Sequence, residues 1–181
     1  KRQIILLIIS FPLKADNIFV EAESFDCRGG WVLDNQSMGQ MGSPYLLAHG
    51  LGVPVENAST VIRVENGGKY RVWVRTRDWV KQWDQTASPG RFELLLNGKA
   101  LEVTFGTERA EWHWQDGGTI CLKTGENRVE LRDLTGFDGR CDAIFFTSAL
   151  EMLPPDGKEE LTVFRRNMLG LPENPEDAGA V

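Results

Sequence analysis

The chain of 181 residues is poor in the residues that carry most enzymatic chemistry. It has two histidines, His49 and His113, and their spacing matches no paired metal-binding or catalytic motif. The sequence contains no serine nucleophile elbow and no phosphate-binding glycine loop. A G-x-G-x-x-G dinucleotide fingerprint is also missing from it. The sequence therefore predicts no catalytic centre within these residues.

Cysteine is also sparse. Cys27, Cys121 and Cys141 are spaced too irregularly for a zinc site, and one disulfide would leave an odd thiol. We interpret each as a small buried residue. A bridge between Cys121 and Cys141 would require neighbouring strands, which the sequence does not establish.

Concentrated positive charge is missing too. Twenty basic and 26 acidic side chains give a formal net charge of -6, and the basic residues form no dense stripe. Binding to nucleic acid or to an anionic membrane depends on such a stripe. We therefore expect neither partner.

The chain has one pronounced apolar run, and it lies at the front. Lys1 and Arg2 precede about nine apolar residues and the small residue Ala15, which is the layout of a secretory signal peptide. The run is too short to span a bilayer. We predict a signal peptide over residues 1–15 and a secreted or periplasmic protein, with a buried first strand as the alternative.

Helical periodicity is missing from residues 17–150, where short alternating apolar runs are separated by Gly, Asn and Asp. In "RFELLLNGKALEVTF", Asn97-Gly98 predicts a two-residue hairpin turn. We predict further turns at residues 65–69, where Asn66, Gly67 and Gly68 supply positive φ angles, and at residues 124–127. Many short strands without helices between them predict an all-β sandwich or jelly roll over residues 16–150.

Residues 151–181 have a different pattern. After Pro154-Pro155, "DGKEELTVFRRNMLG" predicts one helix capped by Asp156, with Leu161, Phe164 and Met168 on its apolar stripe. The remaining "ENPEDAGAV" has the composition of a linker. We therefore predict a short helix and a linker that leads toward a downstream domain.

Two carboxylates lie close together in the first predicted strand, "NIFVEAESF". In an extended chain Glu21 and Glu23 share a face with Phe19 and Phe25. Desolvating such like charges is costly unless a cation or hydrogen-bond donors compensate them. A solvated edge strand is the alternative.

The six tryptophans suggest a binding surface for sugars, because aromatic faces beside amides and carboxylates suit a pyranose ring. The long polar segment "RDWVKQWDQTASPG" carries Trp79 and Trp83, which are the strongest candidates, together with Asp78. Trp31 and Trp114 are further candidates, and core packing is the alternative for every tryptophan.

These pieces together resemble the calcium-binding carbohydrate-binding modules of families 6 and 35, which have the galactose-binding-like β-sandwich. The resemblance rests on "VEAES", "GGKYRVWVR", "LLLNGK", "LKTGENRVEL" and "CDAIFF", in that order. It implies a structural calcium ion held by Glu21, Glu23 and Asp142, and the alternative is that Arg140 neutralises the glutamates.

In such modules the ligand lies across loops at one end of the sandwich, including the loop before the last-strand aspartate. Here that loop is "LTGFDGR", so Phe137, Asp138 and Arg140 join the candidates. The modules often have an Asn close to that aspartate, whereas Arg140-Cys141 stands here. An arginine would suit an acidic sugar, and Arg75 or Arg77 could add to it.

The whole run is also similar to the leader of secreted bacterial FAD-dependent oxidoreductases of the "xanthan lyase" type. That similarity implies an accessory domain in front of a flavin-binding catalytic domain, with FAD bound outside these residues. The first expectation is non-catalytic binding of a polysaccharide or oligosaccharide, the second is such an accessory domain, and the third is a protein-protein interaction sandwich.

Overall fold

The computed structural model describes residues 15–172 of the chain. Within them the strands are β1 Asn17–Glu21, β2 Val32–Asp34, β3 Tyr45–His49, β4 Ala58–Val64, β5 Gly68–Thr76, β6 Phe92–Leu96, β7 Lys99–Phe105, β8 His113–Leu122, β9 Gly125–Asp133 and β10 Phe137–Thr147. The helices are α1 Met38–Met41 and α2 Lys158–Met168, and a 3-10 turn covers Ala22–Ser24. Nearly all of the predicted signal peptide and the linker at 173–181 lie outside the described residues.

The strands form two antiparallel sheets. One sheet has the order β2-β3-β10-β5-β8, and β1 also pairs with β10. The other sheet has the order β4-β9-β6-β7. The prediction of an all-β sandwich with a short C-terminal helix is confirmed. In residues 15–172 we find no helix that is long and apolar enough to cross a membrane.

The core lies between the sheets and follows the alternation of the strands. Each strand directs every second side chain inward, so its apolar positions meet those of the facing sheet. The largest fully buried side chains of this core are Tyr70, Phe92, Phe105, Phe146, Leu46, Leu94, Leu131 and Ile144. Burial of these side chains supplies most of the driving force for folding.

One of the three predicted turns is a hairpin turn, and the other two connect different sheets. Asn97 and Gly98 have φ of 51° and 81°, so the hairpin between β6 and β7 is confirmed. The connection at residues 65–69 is not a hairpin turn, because β4 and β5 belong to different sheets. Residues 124–127 likewise lead from β8 in one sheet to β9 in the other. Both are corners of the sandwich, and the Gly67 amide joins them by donating to Thr124 Oγ1 at 2.9 Å.

The cysteines differ from the expectation. Cys141 is buried, but Cys27 and Cys121 are exposed, and all three are free. Cys121 lies on β8 and Cys141 on β10, and β5 runs between those two strands. A bridge between Cys121 and Cys141 would therefore have to cross a strand.

The first strand is shorter than predicted. β1 ends at Glu21, and the 3-10 turn places Glu23 outside the strand. The turn also separates the two phenylalanines, since Phe19 packs on the outer face of its sheet while Phe25 enters the core. The expectation that Phe19, Glu21, Glu23 and Phe25 share one face of a strand is therefore wrong.

Helix α2 packs on the outer face of the sheet that contains β10. Leu161 and Phe164 are buried there, and Phe164 contacts Phe145 edge-on with ring centroids 5.1 Å apart. Met168 packs against the same apolar cluster, as the stripe predicted. The helix begins after Gly157 rather than Asp156, whose carboxylate instead pairs with Arg75.

We expect Phe164→Ala to lower the free energy of unfolding by about 3–5 kcal/mol, because it removes a buried ring and leaves a cavity. Chemical denaturation of the full chain measures this change. The matched control is Val163→Ala, which alters an exposed residue of the same helix and should stay within about 0.5 kcal/mol. Equal stability of the two variants would show that α2 does not pack on the sheet.

Candidate functional site

Three loops meet at one end of the sandwich. They are residues 50–57 after β3, residues 77–91 between β5 and β6, and residues 134–136 before β10. The backbones of two of them are in direct contact, because Gly50 N and Gly52 N donate to Gly136 O at 3.0 and 3.2 Å. We call the side chains presented there the loop-end cluster: His49, Trp79, Trp83, Phe137, Asp138 and Arg140.

A backbone irregularity at the start of β10 shapes this cluster. Asp138 has a φ of 59°, and the pairing of β10 with β3 shifts register between Phe137 and Gly139. Such a bulge re-aims side chains locally. Here the Phe137 ring is 50% exposed, and Asp138 Oδ1 lies 2.7 Å from His49 Nδ1. The bulge thus presents an aromatic ring beside a polar pair.

Trp79 joins the long loop to this bulge. Its indole Nε1 donates to Phe137 O at 3.2 Å, and the Arg140 guanidinium lies over its ring at 5.6 Å. Trp83 lies edge-on to Trp79 with centroids 6.5 Å apart, and it is 72% exposed. The predicted pair therefore consists of an anchored tryptophan and an open one.

The segment that carries Trp83 is ordered by its own hydrogen bonds. Lys81 Nζ donates to Gln85 O and Ala87 O at 2.9 and 3.2 Å. Asp84 Oδ1 accepts from Thr86 Oγ1 at 2.7 Å and from Thr86 N at 2.8 Å. These bonds, led by the one from the Thr86 hydroxyl, hold the pKa of Asp84 below its ordinary value. The loop is thus pre-organised around an exposed ring.

Asp78 is placed differently from the expectation. Its side chain is fully buried, and Oδ1 accepts from Val80 N at 3.2 Å. Lys81 Nζ lies 3.7 Å from Oδ2. Asp78 therefore holds the base of the long loop and presents no carboxylate to a ligand at the surface.

Two of the predicted sugar-stacking tryptophans are core residues, so those predictions are wrong. Trp31 is 2% exposed and packs edge-on against Phe92 at 5.6 Å. Trp114 is 8% exposed, donates from Nε1 to Pro155 O at 3.0 Å and packs under α2. A ring enclosed on both faces cannot stack on a sugar, so both serve packing.

Arg75 and Arg77, which were expected to add positive charge to the site, lie in different surroundings. Arg75 is buried beneath α2 and paired with Asp156, so it adds nothing to the loop-end cluster. Arg77 is half-buried, and its pKa is lowered by burial first and then by the positive charge of Arg140. The cluster therefore has positive charge on one side, supplied by Arg140 and Arg77.

The sequence pattern did not single out some exposed residues at this end of the sandwich. The spacing of His49 matched no motif, and the structure places its exposed side chain against Asp138. Leu51 and Val53, both exposed, lie on the loop that contacts Gly136 and Phe137. The "HGLGV" segment carried a turn signal, but only the sheet pairing brings it beside β10.

The three predicted metal ligands come together at a different place, where β1, β10 and α2 meet. A cation does lie among them, and it is the guanidinium of Arg165. Arg165 Nη2 donates to Glu21 Oε1 and Ser43 Oγ, and Nη1 donates to Met41 O. Glu23 Oε1 lies 3.8 Å from Nη2, and Asp142 Oδ1 accepts from Ser43 Oγ at 3.4 Å. Glu21 and Glu23 are thus neutralised by Arg165 rather than by Arg140, which lies over Trp79.

This arrangement does not fit a calcium ion. Calcium needs six to eight oxygen ligands at about 2.3–2.6 Å. Here the guanidinium occupies the position between the acidic residues and takes Glu21 Oε1, Ser43 Oγ and Met41 O, while Glu23 Oε2 and Asp142 Oδ2 have no hydrogen-bond partner among the described residues. In residues 15–172 no group of three or more His, Cys, Asp or Glu side chains is arranged to hold a metal. Burial raises the pKa of Asp142 to about 8, although Arg165 opposes the shift. Asp142 therefore tends toward its neutral form here.

No protein-family model matches the sequence, and no curated protein sequence matches it either. Solved structures do match. A GH26-CBM35 β-(1,4)-mannanase of Podospora anserina has a TM-score of 0.57 and 21% identity over 77% of this chain, which spans 29% of that chain. A family 35 carbohydrate-binding module from Clostridium thermocellum has a TM-score of 0.55 and 16% identity, covering 72% of this chain and 97% of that one.

A third similar structure is the C-terminal CBM6 of LamC, a marine laminarinase from Zobellia galactanivorans. Its TM-score is 0.55 at 17% identity, and the match covers 74% of this chain and 100% of that one. The chain therefore has the β-sandwich fold of carbohydrate-binding modules of families 35 and 6, as the resemblance predicted.

Gly136→Ala tests the loop packing that builds the cluster. Gly136 has a φ of 71°, and an added Cβ would collide with the Val53 carbonyl oxygen. The control is Gly118→Ala, where φ is 81° but the space around an added Cβ is open. Both variants carry the same backbone strain, so we expect Gly136→Ala to be less stable than the control by about 1–3 kcal/mol in denaturant unfolding. Equal stability would mean that the two loops do not touch.

Proposed function

We propose that this chain binds a polysaccharide or oligosaccharide, without catalysis, through the loop-end cluster. The observation that carries the proposal is the Trp79–Trp83 pair, in which one ring is anchored at 3.2 Å to Phe137 O and the other is 72% exposed. Aromatic rings that are exposed together beside polar side chains, as Trp83 and Phe137 are here, are typical of a binding surface. The fold shared with carbohydrate-binding modules supports the same function.

The chemistry of the cluster suits a sugar ring. The C–H face of a pyranose packs on an aromatic face, and Trp83 and Phe137 offer two such faces. Sugar hydroxyls need planar partners that donate or accept, and His49, Asp138 and Arg140 supply both kinds. The ligand would lie across the ends of the three loops.

The positive side of the cluster favours an acidic sugar. Arg140 Nη1 donates to Asp138 O at 2.7 Å. A guanidinium has five N–H donors in all, so others can contact a ligand. Its planar fork matches a carboxylate in two parallel hydrogen bonds. Arg77 nearby adds charge of the same sign. A uronic acid within the glycan is therefore the preferred ligand of this proposal.

Attachment to a catalytic domain belongs to the proposal as well. The Podospora anserina protein combines GH26 and CBM35 in its name, and this chain spans 29% of it. A role as the accessory domain of an FAD-dependent oxidoreductase, and export of the protein, stay predictions.

We expect Trp83→Ala to weaken glycan binding at least tenfold, which corresponds to about 1.4 kcal/mol, because it removes an exposed stacking face. Isothermal titration with oligosaccharides measures the affinity. Leu153→Ala, which truncates another side chain that is 72% exposed but lies after β10, is the control and should bind like wild type. Unchanged affinity in Trp83→Ala would contradict the proposed site.

We expect Arg140→Gln to weaken binding of uronic-acid oligosaccharides more than binding of neutral ones, because the variant keeps hydrogen-bonding capacity but loses the charge. Titrations at low and high salt should show that only the acidic ligands lose affinity as ionic strength rises. An equal loss for both ligand types would assign Arg140 to positioning Asp138 and Trp79.

A further inference from the structure

We propose that Arg165 takes the place of a structural metal ion, so that α2 is bound to the sandwich through its guanidinium and the fold is independent of calcium. The proposal concerns the junction of β1, β10 and α2 and does not rest on sugar binding. The first observation behind it is that the charge of Arg165 is buried. Arg165 is 6% exposed, and arginine is almost never buried unless its donors are satisfied.

The partners of Arg165 come from separate parts of the chain. Glu21 ends β1, Glu23 lies in the 3-10 turn, and Met41 O and Ser43 Oγ belong to the end of α1 and the residues after it. Asp142 on β10 closes the group through Ser43. A single guanidinium therefore joins the first strand to the last strand and to the α1 region.

The set of acceptors consists of oxygen atoms alone: carboxylates, one hydroxyl and one backbone carbonyl. These are the ligands that hard divalent cations prefer. In this chain Glu21 Oε1, Ser43 Oγ and Met41 O receive N–H donors of Arg165 instead, and its planar fork serves several acceptors at once. A metal ion and the guanidinium cannot occupy the position together. The guanidinium of Arg165 has the advantage over a free ion, because it is part of the chain and its effective concentration at this position is high.

Other contacts of α2 also stabilise its docking on the sheet. Phe164, next to Arg165 in the sequence, packs edge-on against Phe19, Trp114 and Phe145, and Leu161, one turn earlier, is buried in the same cluster. Asp156, just before the helix, pairs with Arg75, whose Nε lies 3.8 Å from Asp142 Oδ2. Apolar packing and two arginine contacts thus fix α2 in one position over the acidic residues.

The test compares melting temperatures of the full chain in excess calcium and in excess EGTA. We expect wild type to melt at the same temperature in both. Arg165→Met keeps a long side chain but leaves the buried carboxylates unpaired, so we expect its melting temperature to fall by roughly 5–15 °C in EGTA. Calcium should reverse part of that fall, because the freed oxygens can then hold the ion.

Arg166→Met is the matched control, since the neighbouring arginine points to Pro172 O and should respond to neither condition. The proposal is overturned if calcium stabilises the wild type, if Arg165→Met is as stable as the control, or if calcium does not reduce its loss. If Arg165→Met does not fold, Arg165→Lys keeps the charge without the fork and should show a smaller loss. Even if neither variant folds, a higher melting temperature of the wild type in calcium than in EGTA would contradict the proposal.

Discussion

The hydrogen-bond ladder of β10 is the constraint on which the rest of the structure depends. The first part of β10 pairs with β3 and the later part with β1, while β5 pairs along its other side. The strand is also covered on both faces, since Ile144 and Phe146 meet the inner core and Phe145 meets α2. Because backbone groups of a buried strand must all be paired, β10 holds its neighbours in fixed register. It thereby places the loop-end cluster at one end and Asp142 beneath α2.

Two regions of β10 serve different purposes because one is exposed at the loop end and the other is buried beneath α2. At Asp138 a bulge turns side chains outward, which leaves Phe137 exposed and sets Arg140 over Trp79. At Asp142 the pairing of β10 with β5 also shifts register, but here the side chain is fully buried and its carboxyl lies among charged groups. Glu23 Oε2, Arg75 Nε and Asp142 Oδ2 have no hydrogen-bond partner there. Removing one partner of such a buried ionic group is strongly destabilising, because the remaining charges are left buried and unpaired.

Much of the fold could be predicted from local patterns. The Asn97-Gly98 turn requires two positive φ angles, and the alternation through Phe92, Leu94 and Phe105 requires one buried face. Both are properties of neighbouring residues, so the sequence predicts them directly. The pairing of strands is not local. The corners at residues 65–69 and 124–127 have the composition of hairpin turns, yet each leads to the other sheet because closing the sandwich buries more apolar surface.

The candidate site was likewise predictable in its local features and not in its tertiary contacts. The sequence by itself determined an all-β chain with exposed aromatic residues on a long polar loop, because alternation and loop composition follow from the residues themselves. It ranked Trp83 above Trp31 and Trp114 but could not show that the latter two are buried, since burial of a large ring depends on what packs against it from distant segments. Nor could it name the cation beside Glu21 and Glu23. Only the tertiary structure placed Arg165 there, 144 residues from Glu21 in the sequence, because the apolar stripe of α2 docks on the sheet and brings that guanidinium to the acidic residues.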